Sequence, residues 1–359
     1  MMKSRREQVL KILEKTGGEA LFLLGQANIR YLSGFMGTDA YVLLSRAARI
    51  LLTDSRYTEQ AEAECPEFEI VDYRSSFSGL EEALAYFCTK YQIRQLGFEE
   101  DIITFARYQK LQDQLKDVTL VPTAGIVLMV RRKKDDLEIE LLKKAAQIGD
   151  EAFAEVLPLI KPGVTEKDLE RELEYLMKKK GALSASFPII AASGPRSSLP
   201  HAIPTERKVS KGDFITLDFG ALYEGYCSDM TRTVVVGQPD QKQRDIYRLV
   251  KEAQERGVEA VRAGVMGKEV DQAARHVITK AGYGKYFGHG LGHGIGLEIH
   301  EEPVLNPRSD HLLTAGSVVT VEPGIYLPDW GGVRIEDSVV VRPEGCEIIT
   351  HTTKDLIIL

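Results

Sequence analysis

The chain has 359 residues, a formal net charge of −7 and 43% hydrophobic residues, which predicts two domains with room for a sizeable core. The charge is mild and spread along the chain, so nucleic acid is excluded as an expected partner. The four cysteines, Cys65, Cys88, Cys227 and Cys346, form no C-x-x-C pair, which excludes a zinc knuckle or a disulfide framework and fits a reducing cytoplasm.

The start of the chain is basic but continues as an amphipathic pattern that predicts a helix over Arg5 to Lys15. The apolar run Leu21 to Leu24 is too short for a signal-peptide core, and no run has transmembrane length, so a cytoplasmic protein without a membrane partner is expected. Strands are predicted over Ala20 to Leu24, Tyr41 to Leu44 and Ala48 to Leu52, giving a small α/β domain over residues 1–126 that holds no histidine. Its unusual loop, Asn28 to Ala40, with Arg30, Tyr31 and Asp39, reads as a packed turn, and Leu51 to Ala61 as a strand end followed by a helix. The mixed run Arg131 to Asp136 reads as a solvated face leading into a long helix through Leu141, Ala145, Ile148, Ala152 and Val156. A second domain then covers residues 127–359. Within it KPGVTEKDLERELEYLMKKKGA from Lys161 aligns without a gap with RAGVMGKEVDQAARHVITKAGY from Arg262 at an offset of 101. Two related α/β halves with a site at their junction are expected, because a solenoid needs three or more repeats.

The chemistry-bearing residues follow the first copy. His201 lies in a loop between Pro200 and Pro204. Phe214 to Val236 reads as two strands; with Tyr223 and Glu224 as the turn, Asp218 stands opposite Asp229. Two such carboxylates on an apolar sheet repel each other unless a cation joins them; a salt bridge from Asp229 to Arg232 is an equal alternative from this hairpin alone. Cys227 shares the strand parity of Asp229 and reads as packing. A second acidic hairpin shifts the balance, since VVTVEPGIY carries Glu322 and GGVRIEDSVVV carries Glu336 within apolar strands. Glycine at every second position from Gly288 to Gly296 suggests an extended segment closely approached by another backbone, with His289 and His293 on one face and His300 on the other parity. Oxygen and imidazole ligands without thiolate suit Mn²⁺, Co²⁺, Fe²⁺ or Zn²⁺. The G-x-G-x-x-G, G-x-S-x-G and P-loop spacings are absent.

The segments LDFGALYEGYCSDMTRT, HGLGHGIGLEIHE, TVEPGIY and VRIED, in this order, resemble the family of aminopeptidase P, prolidase and methionine aminopeptidase; NIRYLSGF and TDSRY resemble the creatinase/prolidase N-terminal domain. The resemblance implies an α/β (α+β) chain whose C-terminal domain has the pita-bread fold. It also implies two divalent ions, Mn²⁺ or Co²⁺ ahead of Zn²⁺ or Fe²⁺, bridged by Asp229 and Glu336. Asp218 completes one site, and His293 with Glu322 the other. Glu322 is implied as general base for a metal-bridging water or hydroxide, and His201 as a substrate-facing proton shuttle. His289 and His300 are implied as substrate and oxyanion contacts, and Arg334 as a support for the metal ligands. Arg196 departs from the asparagine frequent in relatives. The implied activity is hydrolysis of the Xaa-Pro bond of peptides with proline second, by a homodimer. Val304 follows Pro303 where some dipeptidases carry arginine, which favours an aminopeptidase over a dipeptidase, although Arg308 could substitute. A catalytically silent peptide-binding relative is disfavoured because all five ligand positions are filled.

Overall fold

The computed structural model describes residues 2–359, in two compact units, Met1–Arg131 and Arg132–Leu359, against an expected division after residue 126. The helix Ile126–Arg131 closes the first unit.

The first unit is built on a mixed six-stranded sheet, in the spatial order Glu69–Asp72, Arg49–Thr53, Tyr41–Ser45, Ala20–Leu23, Gln95–Phe98 and Thr119–Pro122. The strand Ala20–Leu23 is buried along its whole length, as a continuous apolar run inside a covered sheet requires. The last two strands and Glu69–Asp72 lie outside the predicted elements, because each carries an exposed polar residue and lacks the continuous apolar run that marks Ala20–Leu23. The segment expected to be a packed turn begins instead in a helix, Gln26–Ser33, which Gly34 ends at φ +87°. Glycine there supplies the left-handed stop.

The second unit opens with a capping box: Asp135 and Glu138 satisfy each other's backbone at the start of the helix Asp136–Val156. The run before it is not a solvated face. Lys134 is buried and donates to Glu301 at 2.9 Å, and Arg132 pairs with Glu302. The two acids after His300 need counter-charges, and the basic run provides them.

The internal repeat is visible in the backbone. Helices Asp136–Val156 and Glu166–Lys179 correspond to Gln241–Ala260 and Gly267–Lys280. The matched glycines Gly163 and Gly264, and Gly181 and Gly282, all take positive φ. The equivalent residues Thr165 and Met266 both precede the second helix and both make an isolated bridge, to Lys208 and Leu312. Each half packs its helices on antiparallel strands, around a core holding Phe153, Leu173 and Phe219 in the first half and Tyr247, Val270 and Val319 in the second. No described helix is long and apolar enough to cross a membrane.

Candidate metal centre and active site

In the first half, Ile190–Ser193, Phe214–Phe219 and Met230–Val235 form an antiparallel sheet in which Asp218 pairs with Ile190 and Thr231. The turn lies at Glu224 and Gly225, with φ +45° and +73°, one position later than expected, since a two-residue hairpin turn favours two positive φ values. Asp218 therefore faces Thr231, not Asp229. The shift moves the pairing by two residues, which preserves the side-chain face, and Asp229 remains a diagonal neighbour on the same side.

In the second half, Val321 pairs with Asp337 in one sheet, and Gly324 pairs with Arg334 in the next. Glu322 and Glu336 fall in the gap between the ladders, across from each other, and are not strand residues as expected. Their amides are satisfied elsewhere, Glu322 by the Leu291 carbonyl at 2.8 Å and Glu336 by the Thr231 carbonyl at 3.1 Å. The latter bond joins the two halves at the site.

The glycine-rich segment lets a third backbone approach. A Cβ on Gly292 would lie 2.0 Å from the Thr320 carbonyl oxygen, and one on Gly294 would lie 2.5 Å from that of Glu302. The His293 ring Nδ1 is 3.1 Å from the Gly294 carbonyl, which can only accept, so Nδ1 carries the proton and Nε2 presents its lone pair. That Nε2 stands 3.5 Å from Asp229 and 3.4 Å from Glu322. Oxygens of Asp218, Asp229 and Glu336 lie within 4.8 Å of one another. All five expected ligands thus converge.

The electrostatics are those of a cation site. Burial, and then the neighbouring acids, push the Asp229 and Glu336 carboxyls well above the usual range, and Glu322 up to about 8. Asp218 Oδ1 and Glu336 Oε1 are buried without a hydrogen-bond partner. The single arginine beside them, Arg334, donates to Asp218 at 2.6 Å, to Thr231 at 3.1 Å and to Tyr326 at 2.8 Å. Four acids against one guanidinium, with two buried oxygens left without a hydrogen-bond partner, fit divalent cations.

Around the cluster lies a cavity of about 570 Å³ lined by His201, His289, His300 and Arg334 among others. His201 is exposed on its loop. Glu166 holds that loop at both ends, accepting from Ser193 at 2.8 Å, Arg196 at 3.0 Å and Thr205 at 2.7 Å. Arg196 also donates to the Ile203 carbonyl at 2.7 Å, so it clasps the loop. His300 stacks edge-on against His293, ring centroids 4.3 Å apart. His289 has both nitrogens engaged, Nδ1 with the Gly290 carbonyl at 2.8 Å and Nε2 with the Tyr326 hydroxyl at 2.9 Å, and burial lowers it to about 4. Tyr326 links His289 to Arg334, while Thr231 and Thr320 donate to Glu336 at 2.6 Å and to Glu322 at 3.2 Å. None of these three was singled out from the sequence. Their one signal was strand parity with the acids.

The sequence model of metallopeptidase family M24 matches residues 140–343, and that of the creatinase/prolidase N-terminal domain matches residues 5–133. A curated Xaa-Pro dipeptidase of Pyrococcus furiosus is 35% identical, over 99% of this chain and 100% of that protein. Among solved structures, an Xaa-Pro dipeptidase from Bacillus anthracis is 47% identical with a TM-score of 0.96, over 100% of both chains. An X-Pro aminopeptidase from Thermotoga maritima is 38% identical with a TM-score of 0.91, over 99% of both. With an acidic cluster that could hold a metal ion and both domains matched, the chain belongs to metallopeptidase family M24, as a member with a creatinase/prolidase N-terminal domain.

Proposed function

We propose that this metallopeptidase is an Xaa-Pro dipeptidase, which cleaves the bond before a C-terminal proline. This replaces the aminopeptidase expected from Val304, because the similarity to proteins named Xaa-Pro dipeptidase is the stronger. The single observation that carries the peptidase reading is the convergence of Asp218, Asp229, His293, Glu322 and Glu336 beside the cavity. A dipeptidase must also recognise the free carboxylate after proline. Val304, Asn306 and Arg308 alternate along one stretch. Arg308 lines a side cavity of about 430 Å³ that shares His289, Gly290 and Asn306 with the main one. Its guanidinium has no partner among the described residues, which leaves it available to a carboxylate.

The five ligands would hold two divalent ions, Mn²⁺ or Co²⁺ by ligand type. When bound, these ions supply Lewis acidity toward water and toward the scissile carbonyl. The chain's own groups do the rest. Glu322 takes the proton of the attacking water, oriented by the Thr320 hydroxyl. His300, exposed at the cavity, meets the charge that develops on the carbonyl oxygen. His201, exposed on its clasped loop, delivers a proton to the leaving proline nitrogen, which has none of its own. Arg334 fixes Asp218 and, through Tyr326, the neutral ring of His289.

The test compares kcat/KM for Leu-Pro with that for Leu-Pro-Ala, with metal content measured on the same preparations. The dipeptide should be cleaved and the tripeptide left nearly uncut, with loss of turnover on chelation. Preferred cleavage of the tripeptide would restore the aminopeptidase reading; full turnover in metal-free protein would reject the mechanism.

A further inference from the structure

One wall of the catalytic cavity carries a charge that the metal ligands and their supports do not use. Glu170 lines the cavity from the helix Glu166–Lys179 and is partly exposed. Most charged residues around it on that helix are paired, Glu166 with Arg196, Lys167 with Glu206, Asp168 with Arg171, and Glu174 with Lys178, and Glu172, which is not, lies off the cavity lining. Glu170 has no hydrogen bond or ion pair among the described residues. The only arginine or lysine lining this cavity among the described residues, Arg334, is bound to Asp218.

The position of Glu170 relative to the metal ligands follows from the strand beneath it. Ile190 pairs with Asp218 in the ladder, and Phe187, Pro188 and Ile189, just before it, line the same cavity. The helix is fixed at its start by Glu166 to Ser193, and the chain then returns along it toward Ile190. Glu170 stands four residues on from Glu166, about 6 Å along the axis, and lines the cavity together with the stretch from Phe187 to Ile190. The cavity lining thus combines an apolar strip, Phe187 to Ile190, with an unpaired carboxylate. A lysine or arginine side chain has the matching profile, with a methylene stem that lies on apolar surface and a cationic head that seeks an acid.

We propose that Glu170 is a specificity-determining residue that receives the cationic side chain of a lysine or arginine standing immediately before proline. The inference rests on the dipeptidase reading, in which the residue before proline supplies the one variable side chain. A charged group at this place also disfavours an acidic residue before proline by like-charge repulsion.

The experiment assays the Mn²⁺-loaded full chain and its Glu170→Gln and Glu170→Lys variants on Lys-Pro, Arg-Pro, Leu-Pro and Glu-Pro. Glu170 is partly exposed, so both variants should fold, and circular dichroism checks this. Glu170→Gln should lower kcat/KM for Lys-Pro and Arg-Pro by about fivefold, mainly through KM, as expected for a partly exposed ion pair. Leu-Pro should stay within about twofold, and Glu170→Lys should favour Glu-Pro over Lys-Pro. Equal losses on Leu-Pro and Lys-Pro would assign Glu170 to the substrate amine or to general structure and overturn the proposal, as would no change on any substrate. If wild type cleaves Leu-Pro-Ala but no dipeptide, the dipeptidase reading has failed; the same comparison on Lys-Pro-Ala and Leu-Pro-Ala then decides the role of Glu170.

Discussion

At the scale of residues, the proposed mechanism separates groups that hold charge from groups that move protons. Glu322 serves both, so Glu322→Gln should reduce turnover by about a hundredfold or more; metal content measured in parallel shows whether ligand loss contributes. A variant with full metal and normal turnover would reject the assignment. His201 lies on an exposed loop and is not among the convergent ligands, so His201→Ala should lower kcat while metal content stays at the wild-type value. Tyr326 gives a finer test. Its hydroxyl joins His289 Nε2 at 2.9 Å to Arg334 at 2.8 Å. Tyr326→Phe leaves a buried guanidinium N–H short of an acceptor, at a cost of about 1–3 kcal/mol, and frees Nε2 of His289. Thermal unfolding should show the loss, and a histidine resonance should report the altered ring.

At the scale of elements, the site is made where strands break or crowd. Gly292 and Gly163 contrast two reasons for glycine. A Cβ at Gly292 would meet the Thr320 carbonyl at 2.0 Å, while at Gly163 it meets nothing within 4 Å, and only the backbone, at φ +96°, objects. Gly163→Ala should cost about 1 kcal/mol. Gly292→Ala should cost about 1–3 kcal/mol or more by overpacking, and should weaken metal binding because it displaces His293. Urea titrations with and without Mn²⁺ separate the two. The buried pair Lys134 and Glu301, with 1% and 2% of their side chains exposed, anchors the segment beside His300. Lys134→Met alone should destabilise by about 3–5 kcal/mol, and Lys134→Met with Glu301→Met should recover much of it, since the unpaired charge is then gone.

For the whole molecule, the carboxylate cluster ties stability to pH and metal together. Without metal, Glu322 is raised from 4.5 to about 8, so between those values the folded chain keeps a proton that the unfolded chain has lost. The stabilisation is fully present below the unfolded value and is lost as pH rises through the folded one. His289 and His293, lowered from 6.5 to about 4, act in the opposite sense. Their contribution is present above 6.5 and is lost as pH falls toward 4. The window from about pH 7 to pH 8 therefore isolates the acids, because the raised thiols of Cys65, Cys88 and Cys346 add a loss of the same sign only above it. Over it the chelated protein should fall in Tm, and saturating Mn²⁺ should raise Tm most at the alkaline end. A Tm of the chelated protein that rises across this window would contradict the cluster's electrostatics.

The sequence by itself determined the residue types of the cluster, the repeat and the parity of the acidic hairpins, because each is local. Buried Asp and Glu stand out in apolar runs, matched glycines mark helix ends, and a period of two survives the register shift at Glu224 and Gly225. Tertiary structure alone decided that Glu322 and Glu336 sit between sheets, that Lys134 is buried, and that Tyr326, Thr231 and Thr320 support the ligands. It also placed Glu170 on the cavity wall. Those outcomes depend on which distant backbones meet, and on where desolvation makes a charge costly. Neither is written in the spacing of residues along the chain.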